Sequence, residues 1–190
     1  MISEPAIHVV PRNSTPAARR AAEAYRVSEF EALDGILAKA PDSIDVIGLN
    51  FYFHNQWWHP SRRKIQRGNS LYRPLNEILA EFYRRYQKPL MIAETGIEDE
   101  LRPDWFRYIC DEVAIAMDKG IPMNGICLYP IFNHPGWADD RHCHNGLWDY
   151  ADDLGHREVF EPLAEEVRQQ IQRFLRRRPE SQIIQRSQAS

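Results

Sequence analysis

Glu94 is the residue of this sequence best placed to do chemistry. It stands in Lys88-Pro89-Leu90-Met91-Ile92-Ala93-Glu94-Thr95-Gly96, where four apolar residues follow a proline and Thr95-Gly96 stops the run. Such a run predicts a short strand buried on both faces. A carboxylate placed where the strand gives way to a turn sits at the end of a parallel α/β sheet where reactive groups collect. The chemistry it offers there is nucleophilic or proton-transferring. The alternative is a glutamate that caps the next segment or faces solvent.

Two other groups of reactive side chains invite a reading. His134, His142, Cys143 and His144, with His54 or His59, are dense enough to suggest zinc. Adjacent side chains in an extended loop rarely converge on one ion, however, so surface or sugar-contacting histidines are expected and no metal. Cys110, Cys127 and Cys143 are odd in number and widely spaced. They form neither a disulfide framework nor a Cys-x-x-Cys knuckle, so reduced thiols are expected. The aromatics say more. Phe51, Tyr52, Phe53, Trp57 and Trp58, then Tyr129, Phe132, Trp137 and Trp148, gather at loop positions rather than at helical spacing. That placement suits a flat apolar ligand such as a sugar ring.

These residues must be held by one domain, since 190 residues supply a real core but not two ordinary ones. A net charge of −3 with interspersed signs gives no nucleic-acid or acidic-membrane footprint. Nothing approaches transmembrane length and the N-terminus lacks a signal-peptide layout, so a cytoplasmic protein is expected.

Strand and helix signals alternate. Ala6 to Val10 reads as a strand ended by Pro11, and Asn13-Ser14-Thr15-Pro16 caps a helix running to about Lys39. Ile44 to Tyr52 predicts a second buried strand, followed by a long loop from His54 to Ser70. That loop's Arg62, Arg63, Lys64 and Arg67 are expected to be solvated. A helix from Pro74 to Tyr86 precedes the Glu94 strand, and another opens at Arg102-Pro103-Asp104 and closes at Gly120. Gly125 to Pro130 is a further strand, the loop to Asp149 is rich in aromatics and histidines, and the last helix spans about Arg157 to Leu175. Four strand-helix repeats imply a parallel sheet with right-handed crossovers. No glycine-rich phosphate turn follows the first strand, so neither a dinucleotide fold nor a cofactor is expected. A barrel-type α/β arrangement remains. A closed barrel needs eight strands and typically about 250 residues, and this chain supplies about half.

Taken in order, these stretches resemble family 1 glycoside hydrolases. Asp45-Val46-Ile47-Gly48-Leu49-Asn50-Phe51-Tyr52 resembles the sixth-strand motif of that family, and Pro89 to Gly96 the seventh strand, which ends in the nucleophile. Gly125 to Trp137 and Gly146-Leu147-Trp148-Asp149 resemble the eighth strand and the segment after it. The run Asn55-Gln56-Trp57 resembles a bacterial branch labelled β-glucosidase or β-galactosidase. The resemblance implies an α/β fold, the C-terminal half of a (β/α)8 barrel (strands five to eight) over residues 1–175, with a polar tail at 176–190. It implies that Glu94 is the nucleophile and that Tyr52 holds it ionised and aimed. Asn50, Gln56, Trp57, Tyr129, Trp137 and Trp148 are then the expected carbohydrate contacts.

The departures limit what carries over. The family's Ile-Thr-Glu-Asn-Gly reads here Ile92-Ala93-Glu94-Thr95-Gly96, and its sugar-gripping Glu-Trp pair becomes Gly136-Trp137. Sugar selectivity therefore does not transfer. Retaining hydrolysis also needs a second carboxyl about 5–5.5 Å from the nucleophile. In the family it belongs to an Asn-Glu-Pro motif ending strand four. Ser3-Glu4-Pro5 invites comparison, but with Pro5 leading directly into a strand, Glu4 is expected at that strand's N-terminal end, away from catalysis. Two readings remain. One is a retaining β-glycosidase half whose acid comes from elsewhere, either a second copy of the chain or an N-terminal half-barrel partner. The other is a catalytically inactive half-barrel remnant or carbohydrate-binding module.

Overall fold

A computed structural model describes residues 1–177, so the expected tail at 176–190 lies outside the described residues apart from Arg176 and Arg177. The chain divides into two units, one of residues 1–97 with 108–129 and one of residues 98–107 with 130 onward.

The first unit contains β1 (Ile2–Pro5), β2 (His8–Pro11), α1 (Pro16–Ser28), α2 (Glu31–Lys39), β3 (Ile47–Asn50), β4 (Gln56–His59), β5 (Arg63–Lys64), α3 (Leu75–Tyr86) and β6 (Leu90–Thr95). It is completed by most of α4 (Arg102–Asp118) and by β7 (Met123–Leu128). Four strands form one sheet in the order β1-β3-β6-β7, and every pairing is parallel. One face of this sheet is packed, with Ile47, Leu49, Leu90 and Ile92 fully buried. The inward residues of the helices (Leu33, Leu75, Leu79, Ile109 and Ala116) are buried just as completely. The other face is not. Ser3, Pro5 and Cys127 are exposed, and Asn50, Met91, Ala93 and Glu94 are half-buried. The expectation of a Glu94 strand buried on both faces is therefore corrected. Side chains alternate across a strand, and helices cover only one side of this open sheet.

Local chemistry explains where the elements begin and end. The helix expected from Pro16 to Lys39 breaks in two, because the Phe30 amide closes a turn onto the Val27 carbonyl (3.0 Å) and Phe30 swings inward. There its ring meets Phe82 at 5.2 Å. Helix α3 starts at Pro74 without a side-chain cap of its own. Glu112 of α4 supplies one instead, accepting from the Asn76 backbone amide at 2.8 Å and from its side-chain amide at 2.6 Å. A carboxylate at a helix N-terminus satisfies an otherwise orphaned donor and opposes the helix dipole.

The loop expected from His54 to Ser70 contains structure. Strand β4 pairs in parallel with β2 and antiparallel with β5, making a small second sheet. Beneath it Trp57, Val9 and Ala22 form a separate apolar cluster with Ile7 and Tyr25. Three of the four loop cations are seated on rings rather than simply solvated. Arg62 lies over Trp57 (4.8 Å), Lys64 over Phe53 (4.5 Å) and Arg67 over Tyr108 (4.0 Å). Such contacts are favourable without any carboxylate partner.

The second unit holds the start of α4, then β8 (His134–Pro135), β9 (His142–Cys143), β10 (Trp148–Ala151), β11 (Arg157–Val159) and α5 (Glu161–Arg176). Asn133 is its hub. The Asn133 side chain donates to Asp149 (2.7 Å) and accepts from the Gly146 amide (2.6 Å). Gly146 must be glycine, because a Cβ there would come within 2.5 Å of the Asn133 nitrogen. Arg102 donates to the carbonyls of Asp99 (2.7 Å) and Gly146 (2.6 Å) and stacks on Phe160 at 3.6 Å. No described helix is long and apolar enough to cross a membrane.

Candidate active site

Asn50 ends β3 and Glu94 lies at the last turn of β6, both at the C-terminal ends of parallel strands. Leu49 pairs with Ile92, but Asn50 pairs with Glu94, so Ala93 is passed over. This one-residue shift turns Glu94 onto the open face of the sheet, a use to which irregularities of strand pairing are commonly put beside functional sites. Gly48 permits the crowding that results, since a Cβ there would approach that of Ala93 to 2.9 Å.

Tyr52 stands two residues beyond β3, and its hydroxyl donates to Glu94 Oε2 at 3.0 Å. Burial, and then the carboxylate it serves, push the Tyr52 phenol well above its ordinary value, with Tyr129 and Cys127 adding to the effect. The phenol therefore stays a donor throughout the physiological range. Asn50 Oδ1 accepts from the Ser3 hydroxyl at 2.7 Å, which fixes Ser3 and Asn50 on one face. The open face thus gathers Ser3, Asn50, Tyr52 and Glu94, with Tyr129 and Cys127 close enough to act on Tyr52.

Asn55, 6% exposed, builds the turn that presents Tyr52. Its side chain donates to the carbonyls of Ala6 (3.2 Å) and Asn50 (3.0 Å) and accepts from the Tyr52 amide (3.3 Å). Sequence reasoning missed it as a site residue. The available signal was an asparagine three residues after Tyr52, the spacing of a side chain that closes a turn on its own backbone.

Two of the remaining expected contacts, Gln56 and Trp57, are buried. Gln56 is 1% exposed, and both ends of its amide are engaged by the Arg73 backbone, to the carbonyl at 2.7 Å and from the amide at 2.9 Å. Trp57, 7% exposed, belongs to the Val9–Ala22 cluster. Both perform structural work. Trp137 and Trp148 belong to the second unit. Trp137 is 88% exposed with its ring edge-on to His134 at 5.8 Å, a bare aromatic face. Trp148 is half-buried on β10, its amide donating to Ile131 at 2.9 Å.

The position of Glu4 is corrected. The structure gives it a strand of its own, β1, one residue from that strand's C-terminal end and opposite Leu49 of β3. Burial, with Glu29 adding to it, raises the Glu4 carboxyl, as a general acid would require. It nevertheless faces the wrong way. Ser3 and Asn50 mark the open face, so Glu4, adjacent to Ser3 and paired with buried Leu49, points to the packed side. Among the described residues of the four strands, Glu94 is the one carboxylate on the open face. The histidine-rich loop brings no three His, Cys, Asp or Glu side chains together as a metal site among the described residues. His142 lies on Tyr150 at 4.6 Å, and His134 faces its own Pro135 carbonyl at 2.7 Å.

No family model matches the sequence, and no curated protein matches it. Solved structures do. The β-glucosidase of Thermotoga maritima in complex with glucoimidazole superposes with a TM-score of 0.65 at 15% identity, over 86% of this chain and 49% of that one. The family 1 β-glucosidase of the same organism gives 0.64 at 14% identity, over 86% and 49%. The hyperthermophilic β-glucosidase of Pyrococcus furiosus gives 0.66 at 18% identity, over 90% and 41%. The chain therefore spans less than half the length of the structures it matches. The likeness establishes the fold as α/β, an open parallel sheet of the kind found in about half of a (β/α)8 glycosidase barrel.

Proposed function

We propose that Glu94 is the nucleophile of a retaining β-glycosidase and that this chain carries the nucleophile side of its active site. The observation that supports this most directly is the Tyr52 hydroxyl held at 3.0 Å from Glu94 Oε2 at the C-terminal end of a parallel sheet. In the reaction a Glu94 oxygen attacks the anomeric carbon. The bond to the leaving oxygen breaks, its electron pair departs with that oxygen, and a carboxylic acid protonates it. Water, giving its proton to the carboxylate that the acid has become, then attacks the same carbon and releases Glu94. Asn50 and Tyr129 are the neighbouring groups proposed to meet the sugar. The acid comes from a complementary half of the barrel, because Glu4 is turned away.

A second reading, sugar binding without turnover, is favoured by the single carboxylate on the open face among the described residues of the four strands. One experiment separates the two. A 2,4-dinitrophenyl 2-deoxy-2-fluoro-β-glucoside has a leaving group that needs little acid assistance, so it should label the chain once, releasing one equivalent of phenolate. The mass increase should map to Glu94 and vanish in Glu94→Ala. Saturable glycoside binding without any label would support the binding module and defeat the nucleophile assignment.

A further inference from the structure

We propose that His54 is a positioning residue for Glu94, its ring holding the Tyr52 phenol in the pose from which the hydroxyl reaches the carboxylate. This rests on the reading of Glu94 as the reacting group and adds a residue that the resemblance does not supply. Asn55 fixes the backbone of Tyr52, but a phenol hydroxyl lies far from its backbone and needs a second restraint. His54 provides it. Its ring lies flat on that of Tyr52, 5.4 Å between centroids and 4° between planes, within the range of favourable stacking. Phe53 meets His54 edge-on at 5.2 Å and 84°, and the Lys64 ammonium caps Phe53 at 4.5 Å. The result is a file of side chains, Lys64, Phe53, His54, Tyr52 and Glu94, spanning β5, the loop after β3, and β6.

The charged and titratable groups facing His54 are Tyr52 on its own loop and Lys64 on β5, with Glu94 beyond the Tyr52 hydroxyl. Burial, and then Lys64, hold the imidazole below its ordinary value, so it is neutral at pH 7. Protonation would set an imidazolium against the Lys64 ammonium. The neutral stack is therefore intact above the folded value and lost as pH falls through it.

The test uses the labelling reaction above, with rate measured against pH, together with the nuclear Overhauser contact between the Tyr52 ring and the Glu94 side chain. His54 lies in an exposed loop with only its stacked face covered, so its replacement leaves the fold intact. His54→Ala should slow labelling about tenfold or more and lose the Tyr52–Glu94 contact, whereas His54→Phe, which keeps a flat ring, should stay within about threefold of wild type. His54→Phe should also remove the imidazole's own inflection from the acid limb of the rate, and Lys64→Met should move that inflection to higher pH. A His54→Ala protein that keeps both rate and contact overturns the proposal, as does an acid inflection unmoved by all three variants. If the wild-type chain is never labelled, the nucleophile reading fails on its own, and the Overhauser contact still decides the role of His54.

Discussion

Gln56→Leu distinguishes a sugar-contacting glutamine from a structural one. In the structure the amide joins β4 to the chain ahead of α3 by two bonds to the Arg73 backbone, at 2.7 and 2.9 Å, in a side chain only 1% exposed. Leucine fills the same volume but leaves the Arg73 amide and carbonyl without partners. Each unsatisfied backbone group costs about 1–3 kcal/mol. Water reaching the partly exposed Arg73 relieves some of this, so a loss of about 2–4 kcal/mol is expected. For a protein of this size each kcal/mol lowers Tm by about 2–4 °C, giving a fall of roughly 4–16 °C. Urea unfolding followed by far-UV circular dichroism should show a lower midpoint at unchanged slope, because the loss is in native contacts rather than in denatured-state compactness. The reasoning is refuted if stability stays within about 0.5 kcal/mol of wild type while glycoside affinity falls tenfold. Gln56 would then serve the ligand after all.

Two further outcomes are expected from contacts in the first unit. Burial acts to raise the Glu81 carboxyl, but Arg73 and Arg26, which both bond it, more than cancel that and leave it below its ordinary value of 4.5. Its contribution to stability is therefore present above pH 4.5 and lost as pH falls through the lower folded value, so acid unfolding of Glu81→Gln should show a correspondingly shallower dependence on pH below 4.5. Gly96→Ala would place a Cβ 2.0 Å from the Tyr129 carbonyl oxygen, where the Tyr129 amide also bonds Thr95 at 2.9 Å. Backbone must move to admit it, so a loss of about 1–3 kcal/mol in thermal unfolding is expected, and an unchanged Tm would mean that β6 and β7 are less tightly joined than this contact implies.

Much of the fold was legible because apolar runs and their stops are local signals. Leu90 to Thr95 and the helices around Leu75 and Ile109 fall where periodicity placed them. What was not legible depended on distant partners. Nothing near Pro74 announces that Glu112 will cap α3, and nothing in Gln56-Trp57-Trp58 shows that one amide will be consumed by Arg73 and one ring by Val9 and Ala22. Residue type pointed both towards a ligand, yet burial turned them inward. The Glu4 strand was obscured for a different reason. Pro5 reads as the start of a strand, whereas here it ends β1 beside Asn50, and a proline at the end of an edge strand costs the sheet little. The aim of Glu94 was legible only as a strand end, because the register shift that turns it to the open face is a property of β3 and β6 together.

That open face constrains where a second carboxyl could stand. Among the described strands β1 and β7 each have one neighbour, so a further parallel strand has two edges to join. Neighbouring strands lie about 4.8 Å apart. A strand added beside β1 is three spacings from β6, roughly 14 Å in a flat sheet, well beyond the 5–5.5 Å that retaining chemistry requires of its two carboxyls. Only curvature of the sheet towards its open face brings such side chains together, and closing a barrel supplies that curvature. On the proposed reading, a complementary half that brings the acid must therefore also bend the sheet. A soluble carboxylate offered as a substitute acid supplies the proton but not the geometry, and rescue of hydrolysis by formate alone would contradict the need for a complementary half.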